Sequence, residues 1–216
     1  MTASDERSMT PRHPGAEPLI GTVVRLDRSV TDDAPALFSA LDDESVYAKA
    51  YHGGARPAGP GEVAGWIADA DHAGRAMYTV RLAGDSPLGT AGTVVGTSSI
   101  GDVDPANGGA HLGWTAYTPA VWRSAVNPEC KLLLLGCAFE MCGFERVKIQ
   151  TDIINDRSQA AIARLGAVRE GVLRHHRRRA DGSWRDTVVF SILADEWPAV
   201  KSGLEQRVAA RRAAQR

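Results

Sequence analysis

Cysteine is scarce in this sequence, and its few copies stand close together. Only Cys130, Cys137 and Cys142 occur among the 216 residues, and none of their spacings is the Cys-x-x-Cys of zinc and redox sites. Free cysteines in apolar segments are usually buried. The sequence therefore predicts three reduced core thiols, and it argues against a disulfide framework and against a bound metal.

An excess of charge and a long apolar run are also missing. The chain carries 25 Lys and Arg against 26 Asp and Glu, a formal net charge of −1 at pH 7. This total gives no argument for binding nucleic acid or an anionic membrane. No apolar run approaches the ~18 residues of a membrane-spanning helix, and the first residues lack the apolar core of a signal peptide. These absences predict a cytoplasmic protein with no membrane partner.

The chain does contain enough apolar residues for one core. Hydrophobic residues make up 44% of the sequence, which at this length suits a single domain with extensions. Residues 1–18 are polar, carry three prolines and show no periodicity, which is typical of a disordered leader. The prediction is a leader over 1–18, one domain over 19–205 and a basic tail over 206–216.

Apolar periodicity indicates strands and helices in alternation within the domain. Segments such as "MYTVRLAG" and "RVKIQTDII" favour strands, whereas "TDDAPALFSALDD" and "DRSQAAIARLG" have helical spacing. The pair Asp181-Gly182 predicts a hairpin turn between two late strands. The predicted order is β-α-α-β-β-β-α-β-α-β-β-α. This order describes an α/β (α+β) domain of three layers, with a mixed central β-sheet and helices on both faces.

The segment "NPECKLLLLGCAFEM" predicts a helix with an abrupt start. Asn127 is a good N-cap, Pro128 suits the first helical position, and Glu129 complements the positive end of the helix dipole. The helix is apolar on nearly all sides, which predicts burial and a start that emerges at the edge of the sheet. A fixed helix N-terminus binds anions well, but a well-capped core helix explains the same residues.

The segment after this helix carries the most specific motif of the chain. In "TDIINDRSQAAIARLGAVREG", a strand ends at Asn155, Ser158 follows three residues later, and the next helix closes at Leu165-Gly166. This pattern resembles the motif that follows the cofactor-binding helix in the GNAT (general N-acetyltransferase) superfamily. "AHLGWTAYTP" resembles the central strand of that superfamily, and "GVLRHHRRRADGSWRDTVVFSILADEWP" is similar to the C-terminal hairpin of its RimJ/RimL-type members. The resemblance covers residues 18–205 and implies the GNAT fold.

The resemblance also implies acetyl-coenzyme A (acetyl-CoA) as the donor and an amine as the acceptor. The cofactor-binding residues that it implies are Leu112 and Trp114 of the central strand, Arg123, Ser124, Ala125, Val126, Asn127 and Lys131 around the helix start, and Asn155 with Ser158 beyond it. The loop before the helix departs from the family pattern, because Ala and Asn replace its glycines and Pro128 removes one amide donor. The Ser124 hydroxyl, the Asn127 side chain and the Lys131 charge are expected to compensate.

Acetyl transfer to an amine requires few chemical groups. Backbone N–H groups near Leu112–Trp114 are expected to stabilise the developing oxyanion. His111 stands where the family pattern usually has Glu, and an imidazole with a pKa near ~6.5 is a candidate base. Asn155 is implied to hold the pantetheine arm, Ser158 to lie beside the thiol, and Tyr117 is a weaker candidate acid. A strand histidine, a plain helix cap and a packed tyrosine explain the same residues without catalysis.

Three functional hypotheses remain open at this point. The leading one is an N-acetyltransferase whose acceptor is a protein N-terminal amine or a small-molecule amine, with the acidic stretch 42–45 and the aromatics Tyr47, Tyr51 and Trp66 near the acceptor. The second is a non-catalytic acyl-CoA-binding sensor, which the altered loop favours. The third, nucleic-acid binding by the arginine-rich run 174–179, is less favoured, because charge beside a hairpin turn is normally solvated. The oligomeric state stays open between monomer and homodimer.

Overall fold

The computed structural model describes residues 9–49, 51 and 55–215. Its strands are β1 (Leu19–Ile20), β2 (Val24–Arg28), β3 (Ala76–Leu82), β4 (Val94–Asp104), β5 (Gly109–Tyr117), β6 (Arg146–Asp152), β7 (Val168–Arg178) and β8 (Trp184–Leu193). Its α-helices are α1 (Ala34–Leu41), α2 (Glu44–Tyr47), α3 (Pro60–His72), α4 (Val126–Gly136), α5 (Asp156–Ala163) and α6 (Trp197–Ala213). None of the helices in this part of the chain is long and apolar enough to cross a membrane.

The eight strands form one mixed sheet. Neighbouring strands lie in the order β1-β2-β3-β4-β5-β6-β8-β7. The β5–β6 pair is parallel, and the other neighbours are antiparallel. A parallel pair needs a crossover connection, and α4 provides it between β5 and β6. The predicted mixed sheet is therefore confirmed.

Helices cover both faces of this sheet. α1 and α3 pack on one face, where Leu37, Val63 and Met77 belong to one buried cluster. α4 and α6 pack on the opposite face, where Leu134 and Leu204 are buried in the larger core. The predicted α/β class with helices on both faces is confirmed.

The packed domain extends beyond the boundaries predicted at its two ends. Within the predicted leader, Arg12 donates its backbone N–H to the carbonyl of Cys142 at 2.9 Å. At the other end, α6 continues to Ala213. Val200, Leu204 and Val208 are all buried and lie four residues apart, so one apolar stripe continues past residue 205. Most of the predicted basic tail is therefore the C-terminal half of a packed helix.

β7 forms the long edge of the sheet and is exposed along most of its length. Its ladder with β8 shifts register twice, between residues 169 and 171 and between residues 173 and 177. The arginine-rich run 174–179 lies here, beside the predicted hairpin turn. Arg178 lies over the ring of Trp184, 3.6 Å from its centroid, and His175 stacks on the same ring at 5.1 Å. The arginine-rich run is thus part of a solvent-exposed edge strand, and two of its side chains pack on the ring of Trp184.

The buried carboxylate of Glu129 ties α4 to the turn between β1 and β2. It accepts hydrogen bonds from the backbone N–H groups of Thr22, Val23 and Val24 at 3.0, 2.5 and 2.7 Å, and from the Thr22 hydroxyl at 2.7 Å. Gly21 must lack a side chain, because a Cβ there would overlap this carboxylate. The sequence assigned Glu129 to the helix dipole alone, whereas the structure makes it the acceptor for a turn 107 positions earlier.

We expect Glu129→Gln to destabilise the domain by about 3 kcal/mol or more. The amide keeps the shape of the side chain, but it removes charge-assisted bonds worth about 1.5–3 kcal/mol each and turns a donor toward backbone N–H groups. Urea unfolding measures the free energy. Glu170→Gln is the matched control, because this carboxylate is 38% exposed and pairs with Arg146 at the surface. It should cost less than about 1 kcal/mol. Equal losses in the two variants would contradict the assignment.

Candidate active site

β5 and β6 lie side by side at their starts and then separate. Their parallel pairing covers Gly109–His111 of β5 and Arg146–Lys148 of β6, and no further pair joins them within the described residues. Past this point β5 pairs with β4, and β6 pairs with β8. The two backbone edges that face each other across the gap therefore lack sheet hydrogen bonds, which is unusual inside a sheet. Such a gap offers strand-like hydrogen bonds to an extended ligand.

β5 is also irregular on its β4 side. Two of its residues, Trp114 and Thr115, oppose the single residue Ser98 of β4. Trp114 has a φ of 49°, in the left-handed region that bulky residues rarely adopt. A bulge leaves backbone groups outside the ladder and redirects side chains. This bulge supports the prediction of oxyanion donors near Leu112–Trp114, which stays a prediction.

The loop that enters α4 starts the helix earlier than predicted. α4 begins at Val126, and Ala125 occupies the N-cap position without a side-chain cap. The prediction of Asn127 as N-cap is wrong, because Ser124 already closes the turn. The Ser124 Oγ accepts from the Val126 N–H at 3.2 Å and donates to the Val121 carbonyl at 2.6 Å. The Ser124 hydroxyl, expected to face a ligand, is therefore engaged within the loop.

The same loop presents free backbone donors. Among the described residues, the N–H groups of Arg123, Ala125 and Asn127 have no hydrogen-bond acceptor. Ala125 and Val126 are fully buried, backbone included, whereas Arg123 is exposed and Asn127 is partly exposed, so the accessible free amides are those of Arg123 and Asn127. Arg123 has a φ of 63°, a conformation that glycine adopts without strain. A loop without glycines thus still offers amides for an anion at the start of a helix.

Lys131 of α4 points into the protein. Its Nζ lies 2.7 Å from the Thr115 Oγ1 and 3.3 Å from the Ser98 Oγ, beneath the bulge of β5. Burial lowers the pKa of this ammonium to about 8. The resemblance led us to expect its charge beside phosphates. The structure gives it a different environment, in which it contacts two hydroxyls.

α5 begins beside the loop that enters α4. Asn155 caps α5, because its Oδ1 accepts from the Ser158 N–H at 3.0 Å, and its Nδ2 donates to the Lys49 carbonyl at 3.1 Å. Arg157 lies over the ring of Trp122, 4.0 Å from the centroid, and joins the first turn of α5 to the loop. The roles of Asn155 and Ser158 toward the pantetheine arm stay predictions. Through its bond to Lys49, Asn155 also connects α5 to the segment after α2.

His111 and Asp102 form a pair near the point where β5 and β6 separate. The His111 Nδ1 lies 3.2 Å from the Asp102 Oδ2, which also holds the Lys148 Nζ at 3.0 Å. This contact does not have the geometry of a hydrogen bond, and neither buried ring nitrogen has a hydrogen-bond partner among the described residues. No pattern in the sequence pointed to Asp102. Asp102 lies beside His111 because the register of β4 and β5 pairs the preceding residue, Gly101, with His111.

The His111 ring is buried and covered. Burial lowers the pKa of His111, and the Asp102 carboxylate opposes that shift without reversing it, which favours the neutral imidazole. Its ring centroid lies 4.5 Å from that of Trp114. A Cβ at Gly113 would lie 2.8 Å from the His111 Nε2, so both residues share one face, as strand alternation predicts. The imidazole fills the space that a side chain at position 113 would take.

Tyr117 has the environment of a packed tyrosine. Its hydroxyl is buried near the Cys130 thiol and has no hydrogen-bond partner among the described residues. Burial raises the pKa of Tyr117 well above its usual range. Its backbone carbonyl accepts from the Trp122 Nε1 at 3.0 Å. These contacts fit the packing role that the sequence left open beside the role of an acid.

An aromatic group covers the bulge of β5. Tyr51 donates its hydroxyl to the Trp114 carbonyl at 3.3 Å. Its ring centroid lies 5.9 Å from that of Tyr47 and 6.5 Å from that of Trp66. Arg75, which the sequence analysis also missed, lies over the Trp114 ring at 4.6 Å. The aromatic side chains expected near the acceptor therefore do meet at the central strand.

Two acidic side chains of the stretch 42–45 have structural roles, one in an ion pair and one in a helix cap. Asp42 pairs with Arg56 at 2.6 Å, and Asp43 caps α2 by accepting from the Ser45 N–H at 2.9 Å. Glu44 is exposed. Within the described ranges, no three His, Cys, Asp or Glu side chains come together as a metal site.

Comparison with known proteins places this geometry in a family. Residues 24–168, more than half of the chain, match the family model described as "Acetyltransferase (GNAT) domain". The chain therefore belongs to the GNAT acetyltransferase family.

Two solved structures and one curated protein illustrate the similarity. A GCN5-related N-acetyltransferase from Brucella melitensis is 26% identical with a TM-score of 0.83, covering 94% of this chain and 90% of that one. Mycobacterium smegmatis RimJ, solved in complex with CoA-disulfide, has the same fold with 23% identity and a TM-score of 0.69, covering 93% and 98%. The "Putative ribosomal N-acetyltransferase YdaF" of Bacillus subtilis (strain 168) is 28% identical over 110 residues. That match spans 51% of this chain and 59% of that protein.

We expect Lys131→Met to change how stability depends on pH. The pKa of lysine is near ~10.4 in an unfolded chain, and burial lowers it to about 8 in the fold. Between these values the unfolded chain binds more protons, so this lysine makes stability rise with pH, by up to about 1.4 kcal/mol for each pH unit. Urea unfolding at several pH values from 7 to 10 measures the rise.

The rise from pH 8 to pH 10 should be smaller in Lys131→Met than in the wild type. Lys201→Met is the control, because this lysine is 41% exposed and should leave the profile unchanged. Identical profiles for the wild type and Lys131→Met would show that Lys131 is not buried in solution.

Proposed function

We propose that the chain is an N-acetyltransferase that moves an acetyl group from acetyl-CoA to a primary amine by direct attack. One observation carries the proposal. The gap between β5 and β6 opens toward the C-terminal ends of these strands, where α4 and α5 begin, and the N-terminus of α4 offers free amides. Membership of the GNAT family supports the same activity. The acetyl thioester is the electrophile. The protein's own groups would bind the donor, stabilise the oxyanion and accept the proton of the amine.

Each part of the donor has a counterpart in this arrangement. The amides of Arg123 and Asn127 suit the diphosphate, because a helix N-terminus favours negative charge. The unpaired edges of β5 and β6 suit the amides of the pantetheine arm, which would pair with them as a strand does. The bulge at Trp114 would then lie close to the thioester, where its backbone N–H groups suit an oxyanion.

The acceptor side suits a cationic amine. The aromatic group of Tyr47, Tyr51 and Trp66 attracts a cation through its ring faces, and the exposed Glu44 adds negative charge. A protein N-terminal amine and a small-molecule amine both fit this description. The name of the Bacillus relative, a ribosomal N-acetyltransferase, favours a protein acceptor by analogy alone.

His111 is our proposed base, and Asp102 is its positioning residue. The carboxylate faces the Nδ1, which leaves the Nε2 to accept a proton from the amine. In the structure the Nε2 is buried beside Trp114. The proton therefore reaches His111 through a water, or after the indole has moved aside.

The activity is tested with acetyl-CoA and a panel of amines, following release of the free thiol. The panel contains short peptides with a free N-terminus, polyamines and aminated sugars. We expect release that depends on at least one amine, and N-acetylated peptides as control acceptors should give none. Coenzyme A that raises the melting temperature while no amine accelerates thiol release would instead favour the acyl-CoA sensor.

We expect His111→Ala to lower kcat by about 10²-fold with little change in CoA affinity. In the wild type, kcat should rise with pH through a limb below pH ~6.5, because burial lowers the pKa of His111. This limb should vanish in the variant. His111→Glu should recover part of the rate, and Asp102→Asn should move the limb to lower pH by removing the charge that raises the histidine pKa.

His175→Ala is the control histidine, since His175 lies on the exposed hairpin beside Trp184. Its rate and pH profile should match the wild type. If His111→Ala keeps the full rate, the base lies elsewhere. Glu44 would be tested next, because Asp152 is bound by Arg179 at 2.7 and 2.8 Å.

A further inference from the structure

Arginines from three elements surround the loop that enters α4. This arginine cluster consists of Arg123 in the loop, Arg157 and Arg164 in and after α5, and Arg207 and Arg211 on α6. Arg211 donates a hydrogen bond to the carbonyl of Arg123, and Arg207 donates one to the carbonyl of Arg164. The C-terminal half of α6 is thereby fixed against both the loop and the end of α5.

Within the part of the chain that the structure describes, no carboxylate pairs with this cluster. Among the described residues, none of its five arginines forms a salt bridge, whereas other arginines such as Arg25, Arg56 and Arg146 each pair with an acidic side chain. Arg207 and Arg211 lie four residues apart on the same face of α6, and Arg207 contacts the backbone of Arg164. The pKa of Arg207 is lowered by its burial and by the positive charges of Arg164 and Arg211. The whole chain has a net charge of −1, so the cluster is a local concentration of charge. Its repulsion is relieved by a bound anion.

We propose that Arg164, Arg207 and Arg211 bind the 3′-phosphate of coenzyme A. The proposal rests on the proposed function, and it assigns the two kinds of phosphate to two kinds of donor. The diphosphate suits the neutral amides of the loop, which are few because Pro128 has no N–H. The 3′-phosphate is a monoester with a charge of about −1.5 to −2 at pH 7 and three acceptor oxygens. Forked guanidinium groups bind such a group bidentately.

The position of the cluster supports this assignment. Arg211 holds the carbonyl of Arg123, the residue whose own N–H is one of the free loop amides. The cluster therefore begins directly beside the anion site of α4 and extends away from it along α5 and α6. The ribose of coenzyme A carries both the diphosphate and the 3′-phosphate. It would therefore place one at the loop amides and the other at the adjacent arginines.

A purely structural role is the competing explanation for the two α6 arginines. In that case Arg207 and Arg211 would only hold the carbonyls of residues 164 and 123 in place. Their loss would then weaken every ligand of the loop equally, with or without a 3′-phosphate. Comparing coenzyme A with 3′-dephospho-coenzyme A separates the two explanations.

Isothermal titration of both ligands is carried out on the wild type and on Arg207→Gln/Arg211→Gln. We expect the wild type to bind coenzyme A about 10- to 100-fold more tightly than the dephospho form, as expected for charge-assisted bonds to phosphate. In the double variant this ratio should fall below about 3-fold, because the affinity for coenzyme A falls by more than the affinity for the dephospho form. Arg207→Lys/Arg211→Lys, which keeps the charge without the fork, should give an intermediate ratio. It also serves as the test variant if the glutamine variant fails to fold.

Arg25→Gln is the control, because this exposed arginine pairs with Asp27. It should keep the wild-type ratio. A wild type that binds both ligands equally would overturn the 3′-phosphate site while the proposed function stands. Equal weakening of both ligands in the double variant would overturn it in favour of the structural role. A wild type that binds neither ligand would overturn both the site and the proposed function.

Discussion

The carboxylate of Glu129 anchors the first turn of α4 to the turn between β1 and β2, and the rest of the site depends on that position. Three backbone N–H groups and a hydroxyl of the turn 22–24 converge on it in the first turn of the helix. A buried charge would be costly without such donors, and the positive end of the helix dipole favours it further. The same turn is contacted from the other side, because Arg212 of α6 donates to the Thr22 Oγ1 at 3.1 Å. One turn near the start of the domain thus positions both α4, which offers the amides, and α6, which brings the arginines.

Backbone strain is concentrated around the same region. Four non-glycine residues have positive φ in the described part of the chain, and three of them are Asp102, Trp114 and Arg123, with φ of 45°, 49° and 63°. They lie beside His111, at the bulge of β5 and in the loop before α4. Such conformations cost on the order of 1–3 kcal/mol each and persist where the surroundings over-determine them. Here the surroundings are Lys148 on Asp102, Tyr51 on Trp114 and Arg211 on Arg123. Rigid positioning of the central strand and loop is obtained at the expense of stability.

Local patterns in the sequence predicted the sheet, the helices on both faces and the shared orientation of His111 and Gly113. These features depend on alternation and helical spacing over a few residues. The contacts that position the site join distant residues, such as Arg211 with Arg123, which are 88 positions apart. Local spacing carries no signal for such pairs. The N-cap prediction failed for a different reason: Asn127 is a good cap in isolation, but the Ser124 hydroxyl closes the turn first. Asp102 was missed because the register of β4 and β5 shifts between Gly101 and Asp104, which no local pattern reveals.

The long edge strand β7 bears on how the domain behaves at high concentration. An edge strand presents unpaired backbone groups, and a straight, apolar one recruits strands from other molecules. The opposite edge of the sheet, β1, is only two residues long and gives such a strand little to pair with. β7 is eleven residues long, but its two register shifts interrupt any straight ladder, and the arginines that follow Leu173 would place like charges opposite each other in a second copy. The arginine-rich run, which first suggests a nucleic-acid contact, therefore protects the sheet against aggregation.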